Sequence, residues 1–374
     1  MSYFLVAQQA STIIGNTSAD ANGKYIYVGY DGPGLKDSVQ IQDNKFEYSI
    51  SIKEPINFYL SKDSNFYYSE KDIVTFYIEP GKIEFDFDFD DLSTVKIQGV
   101  KTETERQSLR ASKIPLSNLI VENNTILSEL YKNKETEKEA EQKKTLQTEI
   151  NQYERISDSL KLELGKLSLA FAKSHPKSYL APEQLYYALT RNGSSIYFDD
   201  IKSAFENLDD EIKNSPKSEE LKLGIENFTK SQVGVPAPEF EMKDLNEEIV
   251  KLEDFRGKYV LLDFWASWCK PCLEDMPHIK ELNQKYKSEG LEIIGISEDK
   301  NVQKWKDAIE KFELSAWRQF SIEQNQSSVK SDYFVNVIPI KILIDPNGKI
   351  IQRWRGGGEP NQLKLEQVLR ELFK

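Results

Sequence analysis

The chain has 374 residues, 39% hydrophobic and 29% charged, and Lys+Arg 49 against Asp+Glu 61 leaves a net charge of −12. That length implies two or three domains with cores that need no covalent staple. The acidic excess excludes nucleic acid and anionic membrane surfaces as partners, since both recruit basic surface. No apolar run approaches the roughly 18 residues of a membrane span.

Cysteine usage narrows the field further. Cys269 and Cys272 are the whole cysteine content and form one Cys-x-x-Cys, which excludes a disulfide-stapled scaffold. Two histidines, His175 and His278, leave little material for a zinc site, and Leu273 after Cys272 excludes the haem-attachment form. No metal and no cofactor is expected. The opening run Tyr3-Phe4-Leu5-Val6-Ala7 lacks the basic region and long apolar core of a complete signal peptide. It reads as the remnant of a trimmed export signal or as a first strand.

Residues 1–100 alternate with period 2 between turn residues. Lys24-Tyr25-Ile26-Tyr27-Val28, Ser38-Val39-Gln40-Ile41, Lys45-Phe46-Glu47-Tyr48-Ser49-Ile50 and Ile73-Val74-Thr75-Phe76-Tyr77-Ile78 are predicted strands. Gly32-Pro33-Gly34, Asp43-Asn44 and Pro80-Gly81 are predicted turns. The expectation is a small antiparallel, sandwich-like β-domain. In Ile83-Glu84-Phe85-Asp86-Phe87-Asp88-Phe89-Asp90-Asp91, alternation puts Ile83 and the phenylalanines on one face and the acids on the other. A half-buried strand with a wet acidic face explains this run better than a calcium loop, whose oxygens must converge through a turn.

Residues 101–232 read as a helical spacer. Leu146, Ile150, Tyr153, Ser157, Leu160, Leu164, Leu167 and Phe171 repeat at 4-3-4-3 spacing, the seam of a helix packed on another helix. The partner is an earlier helix carrying Leu116, Leu119, Asn123, Leu127 and Leu130, or a second copy of the chain in a homodimer. Shorter helices are predicted at 182–189, 199–208 and 218–228, and His175 reads as a polar residue at a helix end.

Gly234-Val235-Pro236-Ala237-Pro238 marks a boundary, and residues 233–374 are predicted as a third, α/β domain. The expected order is strand 259–265, helix 271–287, strand 292–297, helix 302–312, a hairpin of 341–344 with 350–354 around Asp345-Pro346-Asn347-Gly348, and helix 362–373. In Leu261-Leu262-Asp263-Phe264-Trp265-Ala266-Ser267-Trp268-Cys269-Lys270-Pro271-Cys272 a buried strand runs into a Cys-x-x-Cys that opens a helix. Unpaired N–H groups and the macrodipole at that helix N-terminus favour a Cys269 thiolate, Lys270 adds to this, and Pro271 suits the first turn. Cys272, one turn in, is placed to resolve a mixed disulfide. Asp263 lies among apolar residues on both strand faces, so it is expected to be desolvated and able to exchange protons with a thiol. Pro339, after Ile338, reads as a cis proline or a strand start. Trp268 is expected to flank the thiols as packing and substrate platform.

With Met276-Pro277, Ile338-Pro339 and Asp345-Pro346-Asn347-Gly348, these residues make 234–374 resemble a thioredoxin-fold domain of the TlpA/ResA-like thiol–disulfide oxidoreductases. The resemblance implies Cys269 as attacking thiol, Cys272 as resolving thiol, Asp263 as buried acid and Pro339 as cis proline, with Trp268, Lys270, Pro271 and Ile338 around the substrate. It departs where the group often has a basic residue and then a glutamate after the second cysteine: here stand Leu273 and Asp275. Val337 also stands where glycine is common. The preceding β-domain and helical spacer resemble extensions of exported Gram-negative proteins, which implies a periplasmic home, with the cytoplasm as alternative. His278, Glu298 and Asp299 read as a surface helix position and caps of the next helix, and Trp317 and Trp354 as core.

The implied enzyme exchanges its dithiol with protein disulfides, as a reductase fed by an upstream electron donor. A thiol peroxidase is the alternative, although the proline-and-threonine frame that holds a peroxide is absent before Cys269. A binding or assembly protein with a vestigial dithiol is the third reading.

Overall fold

The computed structural model describes residues 10–31, 36–64, 69, 71–191 and 193–374. The runs at 3–7 and Gly32-Pro33-Gly34 lie outside the described residues. The chain divides into two compact units, Met1–Glu122 with Lys166–Leu185 and Ser203–Ser215, and Asn123–Gly165 with Tyr186–Lys202 and Pro216–Lys374.

Among the described residues of the first unit, seven strands follow in chain order: β1 Ala10–Asn16, β2 Tyr25–Tyr30, β3 Lys36–Gln40, β4 Lys45–Ser51, β5 Ile56–Ser61, β6 Ile73–Ile78 and β7 Lys82–Asp86. They form two sheets, β4-β1-β7 and β3-β2-β5-β6. The expectation of an antiparallel domain needs correcting, because β1 pairs in parallel with β7. β7 reaches the free edge of β1 by crossing from β6 in the other sheet, not by a tight hairpin from β1, so the connection does not force antiparallel pairing. Both sheets share one apolar core containing Phe46, Phe58, Phe76, Phe85 and Phe87. Ile83, Phe85 and Phe87 are buried while Glu84, Asp86 and Asp88 face water, so alternation outlasts the strand itself.

Two long helices follow, α1 Lys101–Thr136 and α2 Ala140–Ser174. Within the second unit they close as a hairpin: Asn123 Nδ2 donates to the Tyr153 carbonyl (3.0 Å) and the Tyr131 hydroxyl to Glu154. The α2 seam is buried at Ile150, Ser157, Leu164 and Phe171. On α1 the expected seam is incomplete, since Leu119 is 48% exposed. Four shorter helices complete this region: α3 Ala181–Leu189, α4 Phe198–Glu206, α5 Asp210–Lys213 and α6 Pro216–Lys230.

The rest of the chain contains a small hairpin, β8 Glu241–Lys243 with β9 Ile249–Lys251, and then β10 Tyr259–Trp265, α7 Lys270–Tyr286, β11 Leu291–Ser297, α8 Val302–Lys311, β12 Arg318–Ser321, α9 Ile322–Asn325, α10 Val329–Asp332, β13 Ile340–Ile344, β14 Ile350–Arg355 and α11 Glu359–Leu372. The sheet runs β12-β11-β10-β13-β14, with β10 at its centre. β10 is parallel to β11 and antiparallel to β13, the mixed sheet expected of a thioredoxin-like domain. One core, with Leu261, Trp265, Ile279 and Leu369, covers one face, and another, with Leu262, Phe264 and Tyr333, covers the other. Because both faces are buried, β10 reads as an almost continuous apolar run. None of the described helices is long and apolar enough to cross a membrane.

Candidate functional site

The site begins where β10 leaves the sheet. Cys269 is the N-cap of α7, and its Sγ accepts the Cys272 backbone N–H (3.3 Å). Lys270 and Pro271 occupy the first helical positions, where a missing proline N–H costs nothing. Cys269 and Cys272 are joined as a disulfide. Cys269 is less exposed than a helix terminus suggests: it keeps 5% of its surface and Cys272 1%. Both pack into the core beside Leu261 and Trp265, and the exposed element is instead Trp268, at 65%. Lys270 is exposed and lies 3.8 Å from Glu135 of α1, a spacing worth little in water.

The turn before the dithiol is tied down by Asp299. Its carboxylate accepts the Ser267 N–H (2.8 Å), the Ser267 hydroxyl (2.6 Å) and the Ser297 hydroxyl (2.8 Å). Asp299 was expected to cap α8, but that role belongs to Asn301, which accepts the Lys304 N–H. Parallel pairing of β10 with β11 ends both strands at Trp265 and Ser297, and this brings Asp299 back to Ser267.

The strand that leads to the dithiol and the helix that carries it contribute to a buried charge cluster. Asp263 is 2% exposed, Lys341 4% and Asp275 2%. Asp263 and Lys341 are directly opposed across the antiparallel β10–β13 ladder, with Lys341 Nζ 3.5 Å from Asp263 Oδ1. Nζ lies closer to Asp275 Oδ2, at 2.8 Å. Asp275 Oδ1 also accepts the Gly358 N–H (2.9 Å) and the Gln362 amide (2.8 Å). Burial raises the Asp263 carboxyl above its ordinary value, with the Lys341 charge pulling against this and the Asp275 charge adding to it. Burial works against the Lys341 ammonium, but the two carboxylates outweigh it and hold its pKa above the usual lysine value. The shortened acid at 275 is therefore a buried acceptor that joins α7 to the loop before α11.

The Ile338–Pro339 peptide bond is cis. Pro339 is buried, Ile338 half-buried and Val337 39% exposed. The preceding loop is pinned by Arg353, which donates to the carbonyls of Tyr333 (2.8 Å) and Phe334 (2.9 Å). The Pro339 carbonyl accepts the Gly356 N–H (2.8 Å). Gly357 lies so close to the start of α7 that a Cβ there would sit 3.0 Å from Asp275 Oδ2 and 3.1 Å from the Pro271 carbonyl. His278, expected at the surface, is only 9% exposed because α11 covers it, and its Nε2 is 3.3 Å from Glu366. Trp317 and Trp354 are core.

Known proteins resemble the chain in two separate stretches. Residues 233–370 match the AhpC/TSA family and residues 11–105 a domain of unknown function, DUF4369. A thiol-disulfide oxidoreductase ResA of Bacillus thuringiensis subsp. konkukian is 36% identical over 143 residues, 38% of this chain and 80% of that protein. ResA of Geobacillus kaustophilus is 40% identical over 121 residues, 32% of this chain and 67% of its own length. The crystallised thioredoxin domain of a thiol-disulfide oxidoreductase from Bacteroides vulgatus aligns at 31% identity over 38% of this chain and 99% of that chain, with a TM-score of 0.35. A dithiol capping a helix at the end of a central strand, carried on a stretch that spans four fifths of a ResA protein, identifies the chain as a member of the ResA-type thiol–disulfide oxidoreductases, with its AhpC/TSA match confined to 233–370.

Proposed function

We propose that the chain reduces disulfides in protein substrates, with Cys269 attacking and Cys272 resolving. The observation that carries this reading is the Cys269–Cys272 disulfide at the N-terminus of α7. In the dithiol form, the helix dipole and the Cys272 N–H favour a thiolate on Cys269. That thiolate attacks one sulfur of a substrate disulfide, breaks its S–S bond and forms a mixed disulfide, while the substrate's other sulfur leaves as a thiolate and takes a proton from water. Cys272 then passes its proton to Asp263 and attacks Cys269 Sγ, so the intramolecular disulfide forms and the substrate leaves as a thiolate that takes the proton back. An upstream donor of two electrons restores the dithiol. Ile338 and the cis Pro339 border the groove in which a substrate backbone pairs, and the exposed Trp268, Lys270 and Pro271 form its platform.

Leu262 and Ala266 are buried core, in the region where a peroxidase needs a polar frame, which favours disulfides over peroxides. An exported, periplasmic setting fits a chain whose every thiol belongs to one motif, since no stray cysteine can mispair there. Insulin reduction measured beside peroxide consumption separates the two activities. Cys272→Ser is expected to accumulate substrate proteins as mixed disulfides and Cys269→Ser to accumulate none; the reverse pattern overturns the order of attack.

A further inference from the structure

The reductase reading leaves one buried ionic group without a task. Lys341 is 4% exposed, the second residue of a five-residue strand otherwise made of Ile340, Ile342, Leu343 and Ile344. A lysine is buried this way only where anions compensate it. Here two carboxylates share one ammonium, at 2.8 Å and 3.5 Å. With all three groups ionised the cluster would carry a net negative charge out of water, and one added proton restores neutrality. The hydrogen bonds indicate where that proton goes. Asp275 accepts from Lys341, Gly358 and Gln362, three donors that leave its oxygens no need of one. Asp263 Oδ1 has no hydrogen-bond partner and receives Lys341 only at ion-pair distance.

We propose that Lys341 is the positioning residue of the resolving step: its ammonium, anchored on Asp275, fixes the electrostatic field in which Asp263 takes up the Cys272 proton. Lys341 touches neither sulfur in this role and acts through Asp263. The tether also has a mechanical side. Asp275 lies one turn beyond Cys272 on α7, so the Lys341–Asp275 bond ties the dithiol helix to β13, the strand that directly follows the cis Pro339. Both walls of the substrate groove are therefore referred to one ammonium.

Other charges contribute little to this field. On the β11 side Asp263 faces Gly295. α11 contributes the neutral Gln362 amide, on Asp275. His278, on the next turn of α7, is engaged by Glu366. Lys341 and Asp275 are thus the charges that set the behaviour of Asp263, and they act in opposite senses.

That opposition supplies the test, which rests on Asp263 being the proton acceptor. The rate at which the full chain releases reduced substrate from its mixed disulfide is measured across the neutral pH range. Lys341→Met keeps the volume and removes the positive neighbour, so the midpoint of the profile is expected to rise by about one pH unit or more. Asp275→Asn removes the negative neighbour, and the midpoint is expected to fall by about the same amount. A merely structural role predicts slower release in both variants with midpoints unmoved. Unmoved midpoints, or midpoints that move in the same direction, overturn the assignment. If Lys341→Met does not fold, the downward shift in Asp275→Asn carries the test alone, and its absence overturns the assignment equally. Asp263→Asn separates this inference from the reading beneath it. Release unchanged in Asp263→Asn overturns the proton-acceptor role itself, whereas slow release there with unmoved midpoints in the other two removes only Lys341.

Discussion

Asp263 lowers the stability of the fold that contains it, and the sign of this effect depends on pH. Its folded-state pKa is raised above the unfolded value by burial. Between those two values the native state keeps a proton that the unfolded chain has released, so stability falls as pH rises through that window and stays low above it. Asp263→Asn removes the penalty and leaves Lys341 its closer partner, Asp275. The variant is expected to melt higher near neutral pH, by roughly 2–4 °C per kcal/mol relieved, with the gain vanishing below about pH 4, where the unfolded carboxyl is protonated too. Calorimetry at both pH values checks this, and equal gains at both would show that the carboxyl is not the cause. Asp263 was legible in the sequence because an acid inside an apolar run has no other ready explanation. Lys341 was not: a strand read as starting there makes it an edge residue, and only the ladder shows that Ile340 precedes it and Asp263 opposes it. Asp299 was read as a helix cap rather than as the anchor of the turn for a related reason, since its partner Ser267 lies 32 residues away and meets it only through parallel pairing.

Among the elements, those with a clear period or a chemical marker were read well, and those defined by their neighbours were not. β10, bounded by a turn and carrying the approach to the dithiol, was expected at 259–265 and is found there. β5 and β12 were overlooked. Ile56-Asn57-Phe58-Tyr59-Leu60-Ser61 lacks clean alternation because it lies inside a sheet, and four-residue β12 gains its identity from β11. The β11–β12 pairing, which sets Gly295 directly against Gln319, also imposes a demand that the sequence alone does not announce. A Cβ on Gly295 would sit 2.3 Å from Gln319 Oε1. That amide is not free to swing away: its Oε1 accepts the Trp265 indole N–H (3.2 Å) and its Nε2 donates to the Leu314 carbonyl (3.1 Å), all in the interior. Gly295→Ala is therefore expected to orphan the Trp265 N–H and destabilise the protein by roughly 1–3 kcal/mol. Urea unfolding followed by tryptophan fluorescence measures this, and an unchanged midpoint would mean the amide finds another arrangement without loss.

For the whole molecule, the question is how much of the chain the chemistry requires. Every residue assigned to the dithiol site lies in 233–374, and the two cores that sandwich its sheet are built entirely from residues of that stretch. Burial on both faces of five strands is enough for independent folding. The preceding helices of the same unit add contacts at its border: Phe228 of α6 meets Phe334 edge to face at 5.3 Å, and Arg355 donates to the Thr190 carbonyl (2.9 Å). Phe334 belongs to the loop that Arg353 pins ahead of the cis proline, so losing Phe228 loosens one border of the groove without removing a reacting group. A fragment of 233–374 is thus expected to fold cooperatively, to lose about 0.5–1.5 kcal/mol for the aromatic pair, and to keep its thiol–disulfide exchange activity towards a small generic disulfide. Its handicap is expected to appear with protein substrates, as a higher KM at similar kcat, because the loosened loop positions a backbone rather than a sulfur. Denaturant melts and paired kinetics on the fragment and the full chain decide this. A fragment that fails to fold, or one whose kcat collapses towards both substrates, would show that the helices complete the catalytic site itself.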